Sequence, residues 1–310
     1  MYTLSPQLPH THTHTVIFLH GRDSDATEFA QEFFESQALD GRTLPEIFPE
    51  VRWVFPASKM RYSKRFDTQM SQWFDIWSVE KPDEQQELQI QGLQETLSYL
   101  SEVIKTEASY VAHERIFLGG ISQGCASAIT ALLCNDIKLA GFIGFCGWLP
   151  LYNKLQQVAN DTASDKYEKS ETSQHDNTPT TLANATTIAN LPLTLSVECS
   201  KLNRTAMSDV LNNIIYKQAA EVPLEEQTIS SAMGEACLEE ATTSSDSTIP
   251  IFLSHCVDDD VVLIGNGQNL RLTLESLGFN VCWNAYEEGG HWVNEPKGID
   301  DMATFIKSNW

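Results

Sequence analysis

The sequence predicts an α/β fold with a mostly parallel central sheet and helices on both faces, interrupted by one long polar insertion. Two observations carry that expectation. Six short apolar runs recur along the chain: "TVIFLHG" from Thr15, "RWVFPAS" from Arg52, "RIFLGG" from Arg115, "LAGFIGFCG" from Leu139, "IPIFLSH" from Ile249 and "NVCWNAYE" from Asn280. Their apolarity is continuous rather than alternating, which marks strands covered on both faces. Stretches of helical periodicity lie between them, and that alternation builds βαβ units.

Each helix has a local reason. "ATEFAQEFFESQAL" follows Asp25, with Glu28 three positions later as a capping-box partner. "ELQIQGLQETLSYLSEVIKTEA" puts Leu93, Leu97, Leu100 and Ile104 on one face. "CASAITALL" follows a glycine-flanked serine. "GQNLRLTLESLG" ends at Gly278, a C-cap residue, and "IDDMATFIKSNW" closes the chain.

These runs assign residues 15–151 and 249–310 to one folded domain, with 1–14 as a flexible tail. Residues 152–248 form an acidic, low-complexity insertion rich in Thr, Ser, Asn, Ala and Glu. "NDTASDKYEKSETSQHDNTPTT" has the composition of a disordered segment. Inside the insertion, Met207, Val210, Leu211, Ile214 and Ile215 fall at helical spacing. That apolar stripe fits a lid over an active site, a partner-binding face or a helix packed on the domain surface.

Composition excludes some functions. Of the 310 residues, 42% are hydrophobic and 20% charged, with a formal net charge of -22. Nucleic-acid binding needs cations for the phosphates, and attraction to an anionic membrane needs them too. The start "MYTLSPQLPHTHTHT" lacks the pattern of a secretory signal or of myristoylation, and the end lacks a prenylation motif. No apolar stretch reaches the length of a membrane span, so no stable membrane insertion is expected. Seven scattered cysteines without a CxxC pair read as free thiols of a cytoplasmic protein, and the three sequons at Asn160, Asn184 and Asn203 carry no weight there. The "HTHTHT" run reads as part of the tail rather than as a metal site.

The chemistry concentrates at Gly120-Ile121-Ser122-Gln123-Gly124, a G-x-S-x-G sequence between a predicted strand and a predicted helix. Such a turn lifts the serine hydroxyl above the sheet and aims the next backbone N–H, that of Gln123, at the same point. A serine nucleophile needs a base, and the base an orienting acid. "CVDDDVV", after the fifth apolar run, offers Asp258, Asp259 and Asp260. "EGGHWV", after the sixth, offers His291 behind a glycine pair. Both positions fall at the carboxyl edge of the sheet, where ligands of open α/β sheets bind. His20 and Gly21 end the first run, in the loop that supplies a second oxyanion donor, the backbone of Arg22. His255 ends its strand and reads as a structural polar contact.

"FLHG", "SQWFDIWS", "GGISQGC", "GFCGWLPL", "DDDVV" and "EGGHW" together resemble the acyl-protein thioesterase, lysophospholipase and small carboxylesterase family of α/β hydrolases. The resemblance implies an α/β-hydrolase fold and a serine hydrolase acting on S-acylated proteins or small acyl esters, without metal or organic cofactor. It places the nucleophile on Ser122, the acid on Asp259 and the base on His291, with oxyanion donors at Arg22 and Gln123. It also sets Trp73, Phe74, Asp75, Trp148 and Leu149 beside the substrate. Three functions remain open: an acyl-protein thioesterase, a carboxylesterase or lysophospholipase with the same triad, and an inactive binding protein of this fold. The chain departs from the family pattern at Arg22 and Asp23, where an apolar residue and a glycine are usual, at Cys125, and in the length of the insertion.

Overall fold

The apolar runs assemble into one sheet because each strand carries two buried faces. In β2 (His14–Leu19) every residue is buried. Val16 and Phe18 face one side layer, and Ile17 and Leu19 the other. The computed structural model describes residues 1–135, 137–158, 204–217 and 249–310. Its main sheet has seven strands, beginning with β1 (Tyr2–Leu4), in the order β1-β3-β2-β6-β7-β8-β9. β3 (Val51–Phe55), β2, β6 (Ile116–Ile121), β7 (Gly141–Phe145), β8 (Ile251–Cys256) and β9 (Val281–Tyr286) pair in parallel. All six correspond to the apolar runs.

One face of the sheet packs on α1 (Ala26–Glu35), the short α2 (Leu44–Ile47) and α7 (Lys297–Ser308). Phe29 and Phe33 of α1 share that layer with Ile299, Met302 and Ile306 of α7. The other face packs on α3 (Glu87–Ala108), α4 (Gln123–Cys134) and α6 (Ile264–Ser276). The Asp25 carboxylate caps α1, accepting from Thr27 N at 2.7 Å and Glu28 N at 3.3 Å. Gly278 ends α6 at φ 81°, the left-handed conformation a C-cap glycine supplies at no steric cost. Strand order reverses between β2 and β6. The connection from β2 leads to β3 on one side, and β6 lies on the other, so the crevice of the switch opens at their carboxyl ends.

Three expectations change. Residues 1–14 are no tail: β1 (Tyr2–Leu4) pairs antiparallel with β3, the Tyr2 ring lies 6.2 Å from that of Phe55, and His12 Nε2 meets Thr15 Oγ1 at 2.9 Å. Apolar contact and ladder bonds hold a segment that composition alone leaves loose. Between β3 and α3 the chain also makes a hairpin, β4 (Lys59–Ser63) and β5 (Thr68–Gln72). Lys59 and Arg61 tie it to Glu95 of α3 at 2.9 and 3.0 Å. Its polar composition hid it from an apolar-run reading.

The third change concerns the insertion. α5 (Arg204–Asn212) and a following π-helical turn, Asn213–Lys217, cover the helical stripe. Met207, Leu211 and Ile215 are fully buried in the layer formed by α3 and α4. Ser208 Oγ and Asn212 Nδ2 donate to Cys134 O, at 3.3 and 3.1 Å, satisfying a carbonyl at the open end of α4. The folded body therefore extends past 151 and includes this helix. The expected disorder of the rest of the insertion lies outside the described residues, as do the sequons at Asn160, Asn184 and Asn203.

Candidate active site

Ser122 sits at the junction of β6 and α4 with φ 57° and ψ -125°. No L-residue adopts that conformation without strain, and the packing around it keeps it there. Ser122 N donates to Phe145 O at 2.9 Å, and Ala126 N donates to Ser122 O at 3.0 Å. The flanking glycines are required by close approach. A Cβ at Gly124 would stand 2.4 Å from both Leu19 O and His20 O, and one at Gly120 would stand 2.7 Å from Gly124 C. The loop after β2 thus lies directly against the serine turn, with an added Gly21 Cβ only 3.6 Å from Ser122 Cβ.

Gln123 begins α4, where backbone N–H groups are free and the helix contributes positive potential. Its side chain is a brace: Oε1 accepts from Trp73 N at 2.9 Å, and Nε2 donates to Phe74 O at 2.7 Å. Trp73 Nε1 in turn donates to His20 O at 2.8 Å. His20 is buried and bridges Gly21 O (Nδ1, 2.7 Å) and Ser58 N (Nε2, 3.1 Å). Because Nε2 accepts, Nδ1 carries the proton, and burial lowers the ring's pKa against the raising effect of the Gly21 bond. These bonds lock the two loops that carry Arg22 N and Gln123 N beside Ser122.

Of the three consecutive aspartates, geometry distinguishes each. Asp259 is buried, and its Oδ2 lies 2.8 Å from His291 Nδ1. Its Oδ1 accepts from Val261 N and Val262 N at 2.9 and 2.8 Å. Asp258 instead accepts from Gly289 N and Gly290 N, at 3.2 and 2.8 Å, and holds the turn that presents His291. Gly289 and Gly290 take φ 136° and 59°, which explains the glycine pair. Asp260 is exposed.

His255 is a further neighbour. Its Nε2 lies 2.7 Å from Val262 O and 3.1 Å from the same Asp259 Oδ2. Burial would raise the Asp259 pKa, but hydrogen bonds from His255 and His291 outweigh it and hold the carboxyl well below the usual range. Cys146, His255 and Asp259 offer ligand atoms within 4.8 Å of one another. The Asp259 oxygens are already taken by four donors, so the cluster reads as support for the carboxylate rather than as a metal centre.

Ser122 and His291 line one cavity of about 560 Å³. With Nδ1 engaged by Asp259, the free ring nitrogen of His291 is Nε2. Phe29, Phe66, Met70, Val79, Val261 and Trp292 give the cavity apolar walls, and Arg22 lines it as well. The sequence reading missed these wall residues, several of which lie on the unanticipated hairpin and its flanks. Trp73, Phe74, Asp75, Trp148 and Leu149, expected beside the substrate, do not line it. Trp73 and Phe74 are turned to the Gln123 brace, and Trp148 packs edge-on to Phe74 with ring centroids 6.4 Å apart. Leu149 is buried in the same layer, and Asp75 Oδ2 accepts from Lys64 N at 3.2 Å.

Comparison with known proteins agrees with this geometry. Residues 4–189 match the Phospholipase/Carboxylesterase family profile. Acyl-protein thioesterase 1 of Cryptococcus neoformans is 35% identical over 156 residues, covering 50% of this chain and 62% of the relative. Acyl-protein thioesterase 1 of Schizosaccharomyces pombe is 30% identical over 156 residues, covering 50% and 64%. The chain thus spans somewhat under two thirds of the length of these relatives. Among solved structures, acyl-protein thioesterase 2 of Zea mays superposes with a TM-score of 0.58 at 20% identity, covering 99% of this chain and 97% of that one. Esterase PE8 gives a TM-score of 0.57 at 16% identity over 100% and 98%. Those likenesses establish the α/β-hydrolase fold, and the profile match over more than half of the chain establishes the lineage: this chain belongs to the phospholipase/carboxylesterase family.

Proposed function

We propose that the protein is a serine hydrolase that cleaves acyl thioesters, with S-acylated proteins as substrates, through Ser122, His291 and Asp259. The observation that carries this reading is the strained Ser122 turn sharing a cavity with a histidine whose Nδ1 is held by a buried carboxylate. Ser122 Oγ attacks the acyl carbonyl while His291 Nε2 takes its proton, and Asp259 stabilises the imidazolium. The backbone N–H groups of Arg22 and Gln123 receive the developing oxyanion at the helix N-terminus. His291 then protonates the leaving group, and water discharges the acyl-enzyme through the same base. A thiolate leaves more readily than an alkoxide, so a thioester asks less of the general acid. The names of the relatives favour the thioesterase reading over a carboxylesterase or lysophospholipase of the same triad. A cytoplasmic setting belongs to the same proposal. The five cysteines among the described residues are free, and no described helix is long and apolar enough to cross a membrane.

The test is fluorophosphonate labelling together with turnover of an S-acyl peptide, a lysophospholipid and a p-nitrophenyl ester. Ser122→Ala is expected to abolish labelling and to leave only a residual acceleration on the order of 10³–10⁴-fold over water. Labelling and turnover retained by the folded variant would remove Ser122 from the mechanism. Absence of both in the wild type would leave a binding protein of this fold.

A further inference from the structure

Arg22 is the single lysine or arginine among the described residues that line the cavity of Ser122 and His291. Its place is well defined. The next residue, Asp23, has φ 59° and donates its N–H to Ser71 O at 2.6 Å, and Ser71 Oγ donates to Ser24 O at 2.7 Å. The loop after β2 is thereby sewn to β5. The half-buried Arg22 guanidinium lies 5.3 Å from the centroid of the Phe66 ring. Arg65 lies 5.5 Å from the same ring but is engaged elsewhere, donating to Trp77 O at 2.8 Å and standing 3.8 Å from Glu80.

Among the described residues the Arg22 guanidinium has no such partner. Its Nη1 is buried without a hydrogen bond, and no carboxylate among the described residues closes an ion pair with it. Burial, together with the charge of Arg65, draws its pKa below the usual arginine value, against the weaker opposing fields of Asp23, Asp75 and Glu80. An unpaired, partly desolvated guanidinium is costly in an empty site and valuable when an anion completes it. Asp23 and Glu32, which also line the cavity, are exposed, so solvent screens their repulsion of an incoming anion. The planar fork of arginine suits a carboxylate bidentately.

We propose that Arg22 is a specificity residue that pairs with a carboxylate carried by the substrate close to its scissile carbonyl. The inference rests on the hydrolase reading above, in which the backbone N–H of the same residue faces the carbonyl oxygen. The carboxylate must then lie within one side chain's reach of the reacting carbon, on the acyl or the leaving-group side. A site built to pair a partly desolvated charge discriminates against the analogue that lacks its partner.

Two pairs of esters test it, one for each side. On the acyl side, mono-(4-nitrophenyl) adipate is compared with 4-nitrophenyl hexanoate. On the leaving-group side, 4-acetoxybenzoate is compared with phenyl acetate. The readout is the ratio of kcat/KM for the carboxylate ester over its neutral partner. In at least one pair that ratio is expected to fall about 10- to 100-fold in Arg22→Met, with partial retention in Arg22→Lys, which keeps the charge without the fork. A change of less than about threefold in both pairs, set against the strength of a charge-assisted bond, overturns the proposal. A readout without any variant is competitive inhibition of the wild type. Adipate must bind more tightly than the uncharged adipamide, and equal inhibition also overturns it. A wild type that hydrolyses neither these esters nor an S-acyl peptide and takes no fluorophosphonate label defeats the hydrolase reading itself, whereas turnover with an unchanged ratio, or S-acyl peptide turnover inhibited equally by adipate and adipamide, defeats only the role of Arg22.

Discussion

Replacing Asp259 by asparagine tests the site through one ring nitrogen. In the wild type, Oδ1 accepts from Val261 N and Val262 N, so the asparagine oxygen is held there and its amide nitrogen takes the place of Oδ2. That nitrogen then points a hydrogen at His291 Nδ1, 2.8 Å away, while His255 Nε2, which still donates to Val262 O at 2.7 Å, loses its second acceptor. His291 must accept at Nδ1 and so carries its proton on Nε2, the nitrogen that in the proposed mechanism receives the Ser122 proton. The same tautomer error in the serine-protease template costs about 10⁴ in kcat, equivalent to about 5.5 kcal/mol. Asp258→Asn keeps an oxygen for Gly290 N, the shorter of the two glycine bonds, gives up the longer one to the exposed Gly289 N, and should lose less than about tenfold, an amount in line with one weakened hydrogen bond. Asp260→Asn, at an exposed position, should be near neutral. The assay is kcat on a p-nitrophenyl ester for the three variants, with circular dichroism to verify folding. Asp259→Asn within tenfold of wild type, or a larger loss at Asp258, would refute the assignment.

Two further outcomes are expected. Leu211→Ala empties a fully buried position between α5 and the α3–α4 layer, so urea unfolding should report a loss of about 2–5 kcal/mol. Short-ester kinetics should stay unchanged, because no described residue of α5 lines the cavity; a loss below about 0.5 kcal/mol, the range of surface substitutions, would place α5 outside the core. His14 packs on Trp310 with ring centroids 4.0 Å apart, and burial, then Arg115, pushes its pKa down to about 4. The unfolded chain binds this proton near pH 6.5 and the folded one only near 4. Its stabilising contribution is therefore complete above pH 6.5 and declines as the pH falls towards 4. His14→Phe should flatten the fall in Tm between pH 7 and 5, and an unaltered slope would assign that loss to other groups.

The parts of the molecule legible in the sequence are those that depend on neighbours along the chain. A strand buried on both faces announces itself by its own apolar run, and all six parallel strands did so. The serine turn needs Gly120 and Gly124 beside Ser122, and the close approach to Leu19 O explains why nothing larger fits. Sequence reading also narrowed the proposed acid to three residues and the proposed base to His291. Tertiary structure decided what depends on segments far apart. Which aspartate faces His291 follows from how the loops after β8 and β9 meet: one carboxylate takes the ring and its neighbour takes the glycine turn. Trp73 and Phe74 went to the Gln123 brace, because their backbone groups complete its amide and leave the cavity to the hairpin and the loop after β2. The apolar stripe of the insertion found the α3–α4 layer and the open end of α4. Periodicity tells a helix that it must bury a face, but only the shape of the surrounding surface tells it where.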